Sequence, residues 1–249
     1  WDLAARQIDE AALEGVDAVV HLAGERIDGR WTATKQRRIL DSRVEGTEVL
    51  AEALAGLGRP PAVVVSASAV GFYGDRGDEE LTEDSPPGTG FLAEVCERWE
   101  AAAAPIASPD TRLVLARTGI VCAPDGGALG RMLALTRLGL GGRLGNGRQW
   151  WSWITLEDEV RALLHLLDTP VAGPMNLVAP GTCRNAEFVR TLARALRRPA
   201  VLPAPALALR AVLGEMANGL LLASARVQPV GLEDSGFNFS SPDLTSAIA

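Results

Sequence analysis

Short apolar runs alternate along the chain with longer segments of helical period. VDAVVHLAG (16–24) is an apolar run bounded by Gly15 and Gly24, the pattern of a strand buried on both faces. From about Thr34 to Leu57, the positions Leu40, Val44, Thr47, Leu50 and Leu54 recur at helical spacing, and Gly56, Gly58 and Pro60 end the segment. PAVVVSAS (61–68) reads as a second buried strand, FLAEVCERWEAAAA (91–104) as a helix stopped by Pro105, and TRLVLARTGIV (111–121) as a third strand. GALGRMLALTRLGL (127–140) predicts a helix, and WWSWITLEDEVRALLHLLDTP pairs a short strand with a helix starting near Glu157. PMNLVA (174–179) and NAEFVRTLARALRR (185–198) add a strand and a helix, after which the chain turns to proline-punctuated helices and a polar tail. Strand following helix in this way predicts an α/β fold with a parallel sheet, then a small, mostly helical cap. The expected division is 1–170 for the sheet domain and 171–249 for the cap, with the chain crossing between them.

Composition narrows the function classes. With 249 residues, 47% of them hydrophobic, the chain can bury one large core. The net charge is −7 and the basic residues are scattered, so no footprint for nucleic acid is expected. No apolar run approaches the roughly 20 residues that span a bilayer, so no membrane association is expected. Cys96, Cys122 and Cys183 are far apart and odd in number, which fits a reducing, cytoplasmic setting better than a disulfide framework. His21 and His165 are too far apart, with no HxxxH, to suggest a zinc site. A serine hydrolase is excluded by the lack of a GxSxG elbow and of a late histidine. The chain opens WDLAARQ rather than with Met, so a longer parent protein is expected.

VVHLAG, DSRVEGTEVLAEAL, VSASAVGFYG and GNGRQWWSWITLEDEV follow one another in that order, and LLLASARVQPVGLEDSGFNF closes the series. This order resembles the landmarks of extended short-chain dehydrogenase/reductases, and more narrowly their atypical NADP-binding epimerase family group, which is similar to nucleoside-diphosphate-sugar epimerases. The likeness spans essentially the whole chain. It implies a Rossmann-like, doubly wound parallel sheet with a C-terminal substrate cap. No GxGxxG or GxxGxxG opens the sequence, so the N-terminal glycine-rich strand–turn–helix of that fold is missing from it, and GLGGRLGNG reads as a loop. In the sheet order 3-2-1-4-5-6 the strand 16–22 would border that absent first strand. An upstream segment or a second copy of the chain would then cover its apolar edge.

The resemblance implies a nicotinamide nucleotide, NADP by family with NAD left open, and a small-molecule substrate related to nucleotide sugars. It also implies roles for particular residues. Ser68, at a strand end, would hydrogen-bond the reacting hydroxyl or carbonyl; the alternative is a serine capping a turn. The usual tyrosine with a lysine four positions later falls where FLAEVC stands, and neither residue is there. Tyr73, the only tyrosine, is the remaining candidate acid, with loop packing as its alternative. His21, Ala23 and Gly24 would border the cofactor, with a satisfied core histidine as the other reading of His21. Ser66, Thr118 and Gly119 complete the cofactor side, Ser66 also fitting a structural role. Arg43, at the margin of an apolar helix face, would reach a phosphate or else snorkel. Arg148, Trp150 and Trp153 would flank the substrate, although Trp153 also suits the core. Asp158 is expected to cap backbone amides, and DRGDEELTED (75–84) to be a solvated loop. With the relay absent, an enzyme and a catalytically silent NADP-binding sensor or scaffold both remain open.

Overall fold

The computed structural model describes residues 5–124 and 126–248. Its frame is a four-stranded parallel sheet built from β1 (Ala18–His21), β2 (Val63–Ala69), β4 (Arg112–Thr118) and β8 (Gly173–Leu177), adjacent in that order. The remaining strands are short pairs: β3 (Glu80–Leu81) with β10 (Arg226–Val227), β5 (Ile120–Cys122) with β7 (Trp153–Thr155), and β6 (Trp150–Trp151) with β9 (Cys183–Arg184). The helices are α1 (Ala33–Ala55), α2 (Phe91–Ala103), α3 (Gly127–Arg137), α4 (Leu156–Asp168), α5 (Asn185–Ala195), α6 (Ala206–Leu213), α7 (Val230–Asp234) and α8 (Leu244–Ile248).

Period-2 alternation sends successive side chains of each strand to opposite faces, and both faces are covered. Val64 and Leu113 pack with Leu50, Leu54 and Ala103 of α1 and α2. Val63, Val65, Val114 and Ala116 pack on the other side against Ala162 and Leu166 of α4 and Leu232 of α7. This is the α/β fold with a parallel sheet that the periodicity predicts, in the doubly wound arrangement that the family resemblance implies. β8 continues the sheet beyond residue 170. Among the described residues β1 has a strand partner on one side only, and nearby Val20 and Leu22 are 39% and 57% exposed. No helix among those residues is long and apolar enough to cross a membrane.

Three local expectations change. The strand predicted over 111–121 breaks at Gly119, where the backbone passes from Leu177 of β8 to the Ser152 carbonyl oxygen: β4 ends and β5 begins on β7, and a Cβ at 119 would sit 2.7 Å from that oxygen. The 75–84 run is not only a solvated loop. Leu81 is fully buried in β3, and Glu83 Oε1 accepts the backbone N–H groups of Asn176 and Gly231, each at 3.0 Å. Asp158 does accept amides, but those of the C-terminal tail: Ser240 N at 2.9 Å and Ser241 N at 2.9 Å. Thr155 is the residue that caps α4, through Asp158 N.

Candidate functional site

Parallel strands place their C-terminal ends on one edge of the sheet, where open α/β sheets receive ligands. His21, Ser68 and Thr118 arrive there together from β1, β2 and β4. Ser68 lies directly opposite Arg117 in the register of β2 and β4. Both side chains follow the parity that sends Val64 and Leu113 towards α1 and α2, so they meet Cys96 and Glu100, one turn apart on the sheet-facing side of α2.

The result is a buried polar chain. Ser68 Oγ donates to Glu100 Oε1 at 2.6 Å. Arg117 grips the same carboxylate with Nε at 2.8 Å and Nη2 at 2.9 Å. Arg117 Nη1 donates to the Tyr73 hydroxyl at 3.0 Å and to the Glu83 carbonyl at 3.2 Å, and the guanidinium lies 3.6 Å from the Phe72 ring centroid. Tyr73 in turn donates to Asn176 Oδ1 at 2.7 Å, and Asn176 Nδ2 donates to the Gln228 carbonyl at 2.9 Å. Tyr73 is fully buried, and Gly88 makes room for it: a Cβ there would overlap the Tyr73 carbonyl.

Burial sets the electrostatics. It pushes the Tyr73 phenol above its ordinary value, against the opposing pull of the Arg117 charge. Burial alone would lower Arg117, but the hydrogen bonds and charges of Glu100 and Tyr73 together outweigh this and hold it above the usual arginine value. The Cys96 thiol, beside Ser68, is pushed up to about 12, first by burial and then by Glu100. Ser68 and Tyr73, both singled out from the sequence, are therefore two ends of one bridge. Glu100 and Arg117, which carry it, and Asn176, which continues it beyond Tyr73, were given no site role from the sequence. A charged residue on the apolar face of a helix and another at an inward strand position were the signals that could have found the first two.

The cofactor-side candidates gather on the neighbouring ground. His21 is buried, its Nε2 is 3.1 Å from Thr47 Oγ1, and burial lowers its pKa. Trp99 Nε1 donates to the same threonine hydroxyl at 3.0 Å. Ser66 is fully buried and its hydroxyl has no hydrogen-bond partner among the described residues. Ala23 and Gly24 follow β1, and a Cβ on Gly24 would sit 3.1 Å from the Arg43 guanidinium carbon. Arg43 Nη1 donates to the carbonyls of Glu25 (3.0 Å) and Ile39 (3.2 Å), and its guanidinium stands 5.0 Å from the Trp99 ring centroid. Burial lowers its pKa, and among the described residues no carboxylate lies within ion-pair distance of it. Thr118 Oγ1 donates to Glu159 Oε1 at 2.9 Å, while the requirement for glycine at 119 is met by packing on Ser152.

The substrate-side candidates stand apart from this bridge. Trp150 is stacked between Arg184 (4.6 Å) and Arg226 (4.8 Å), with its indole N–H on Asp78 Oδ1 at 2.8 Å. Arg148 is exposed and its backbone carbonyl accepts from Arg184. Trp153 is fully buried beside Phe188, its Nε1 on the Gly181 carbonyl at 3.0 Å. Among the described residues no hydrogen bond or ring contact joins them to Ser68.

The sequence profile of the NAD dependent epimerase/dehydratase family matches residues 2–178. The chain belongs to that family. A second profile, a domain of unknown function (DUF1731), matches residues 204–249, the cap end. An epimerase family protein of Mycobacterium bovis is 45% identical over 250 residues, covering 100% of this chain and 82% of the relative. The crystal structure of human epimerase family protein SDR39U1 with NADPH superposes with a TM-score of 0.91 at 38% identity, over 95% of this chain and 81% of that one. A nucleoside-diphosphate sugar epimerase from Corynebacterium glutamicum gives a TM-score of 0.81 at 37% identity, over 100% of this chain and 48% of that chain. In this epimerase-family chain the Rossmann-like sheet and the cap together make up the likeness, as the motif order predicts.

Proposed function

We propose that this chain binds NADP(H) along the carboxyl ends of β1, β2 and β4 and acts as an epimerase or oxidoreductase on a small, nucleotide-sugar-like molecule. The observation that carries the reading is Arg43: a half-buried guanidinium at the ligand edge of the sheet, beside Gly24, with no carboxylate within ion-pair distance among the described residues. A cation so placed fits a phosphate oxygen, with which guanidinium forms short, charge-assisted hydrogen bonds. The NADPH-bound human relative supports the choice of nucleotide, and the nucleoside-diphosphate sugar epimerase supports the substrate class.

The nucleotide would supply hydride chemistry when bound; the chain's own residues bind and orient. Arg43 would hold a phosphate, and Ala23 and Gly24 would let backbone approach it closely. Ser68 would meet the reacting group of the substrate. Tyr73 is fully buried, so a proton from it would have to pass through Asn176 or Arg117. That burial favours the second reading, an NADP-binding sensor or scaffold without turnover.

Calorimetric titration with NADPH and then NADH tests the binding claim. Binding of NADPH that weakens about tenfold in Arg43→Leu is the expected result, the size of one lost charge-assisted contact. If neither nucleotide binds, either to this chain or to a version extended upstream by a glycine-rich strand–turn–helix, both readings fall. Consumption of NADPH with a panel of carbonyl compounds, abolished in Ser68→Ala, separates the enzyme from the sensor.

A further inference from the structure

The hydrogen bond between Ser68 and Glu100 has a direction. A carboxylate offers lone pairs only, so the proton between Ser68 Oγ and Glu100 Oε1 is the serine's. Glu100 cannot turn away from it, because Arg117 holds both carboxylate oxygens, and the pair is almost fully enclosed, with side chains 5% and 11% exposed. The Cys96 thiol lies against the same hydroxyl from α2. The Ser68 proton thus points into the protein, and what the oxygen keeps for a ligand is a lone pair.

We propose that Glu100 is a positioning residue that fixes Ser68 as a hydrogen-bond acceptor, so that the site receives a ligand's O–H or N–H at Ser68 rather than a bare carbonyl oxygen. The substrate class is accordingly an alcohol or an amide-bearing molecule. The proposal rests on the reading that Ser68 meets the substrate.

The probes are tert-butanol and acetone, one able to donate and the other only to accept. Neither can exchange hydride with NADP+, which is kept present throughout. Dissociation constants are measured by ligand-observed NMR for the whole chain, for Glu100→Gln and for Ser68→Ala. The native chain is expected to prefer the alcohol by about five- to tenfold, the worth of one hydrogen bond. Glu100→Gln, whose amide can donate to Ser68 and release its proton, is expected to erase or invert that preference. An unchanged preference in Glu100→Gln, or equal affinities in the native chain, would overturn the proposal. Equal, unaltered binding of both probes to Ser68→Ala would instead overturn the reading of Ser68 itself. Should Glu100→Gln fail to fold, Ser68→Cys reports the same bond. An S–H infrared band of a thiol donating to carboxylate supports the proposal, and the band of a free thiol overturns it.

Discussion

Two clusters in this protein are built from the same parts, an arginine, an aromatic ring and a carboxylate, and they differ in solvent. Arg117 stacks on Phe72 and grips Glu100 with side chains 5% and 11% exposed. Arg184 stacks on Trp150 and holds Asp78 at 2.9 Å with side chains 33% and 68% exposed. In the first cluster the polar groups are tied to buried partners, and losing one partner strands a charge away from water. In the second, water and salt substitute for whichever partner is lost. The lesson is that contact geometry alone does not rank the two; burial does.

The largest effect should come from breaking the buried pair. Arg117→Met leaves Glu100 enclosed and unpaired, and is expected to reduce the unfolding free energy by about 3–5 kcal/mol in urea denaturation. A loss too small to measure would mean that water reaches Glu100, and the contrast between the clusters would fail.

A buried carboxylate that has no cation sharpens the same point. Glu159 is 8% exposed, Thr118 donates to one of its oxygens, and the other has no hydrogen-bond partner among the described residues. Burial raises its pKa from 4.5 to about 7, with the Thr118 hydrogen bond opposing. As pH rises from 4.5, the unfolded chain gives up a proton that the folded chain keeps until about 7. Stability therefore falls across that window, and the penalty is complete above it. Glu159→Gln is expected to flatten this slope and to add roughly 2–3 kcal/mol at alkaline pH, read from thermal unfolding at a series of pH values. Next in size is Tyr73→Phe, which removes the donor to Asn176 and should cost about 1–3 kcal/mol. NADPH affinity is expected to be unchanged, because the phenol reaches Ser68 only through Arg117 and Glu100. A large loss of affinity would place Tyr73 at the ligand after all.

These effects turn on residues whose elements were legible in the sequence while their contacts were not. The apolar runs at 16–24 and 61–68 and the helical period over 34–57 mark β1, β2 and α1 because strand and helix periodicities leave different imprints. The motif order pointed to the family across the whole chain. Ser68 and Tyr73 stood out as types, but the bridge between them depends on Glu100 and Arg117, which lie 32 residues from Ser68 and 44 from Tyr73 respectively. No local pattern encodes such pairings. The 75–84 run misleads for a related reason: its acidic composition describes an exposed loop, while Leu81 and Glu83 are drawn inwards by partners at 227, 176 and 231.

The smallest expected effect closes the comparison from the exposed side. The Trp150 indole N–H, and after it Arg184, hold the Asp78 carboxyl below its ordinary value of 3.8. A depressed acid contributes stability above its unfolded pKa and loses it as pH falls through the folded one. Any difference between the native chain and Asp78→Asn should therefore be confined to pH above that range. Because the carboxylate is largely in water, added salt should shrink the difference further, whereas the loss in Arg117→Met should persist in the same salt. Denaturation of both variants at low and high ionic strength provides the check. If Asp78→Asn proved as costly and as salt-resistant as Arg117→Met, exposure would not be what separates the two clusters, and the Trp150 stack would have to be treated as part of the core.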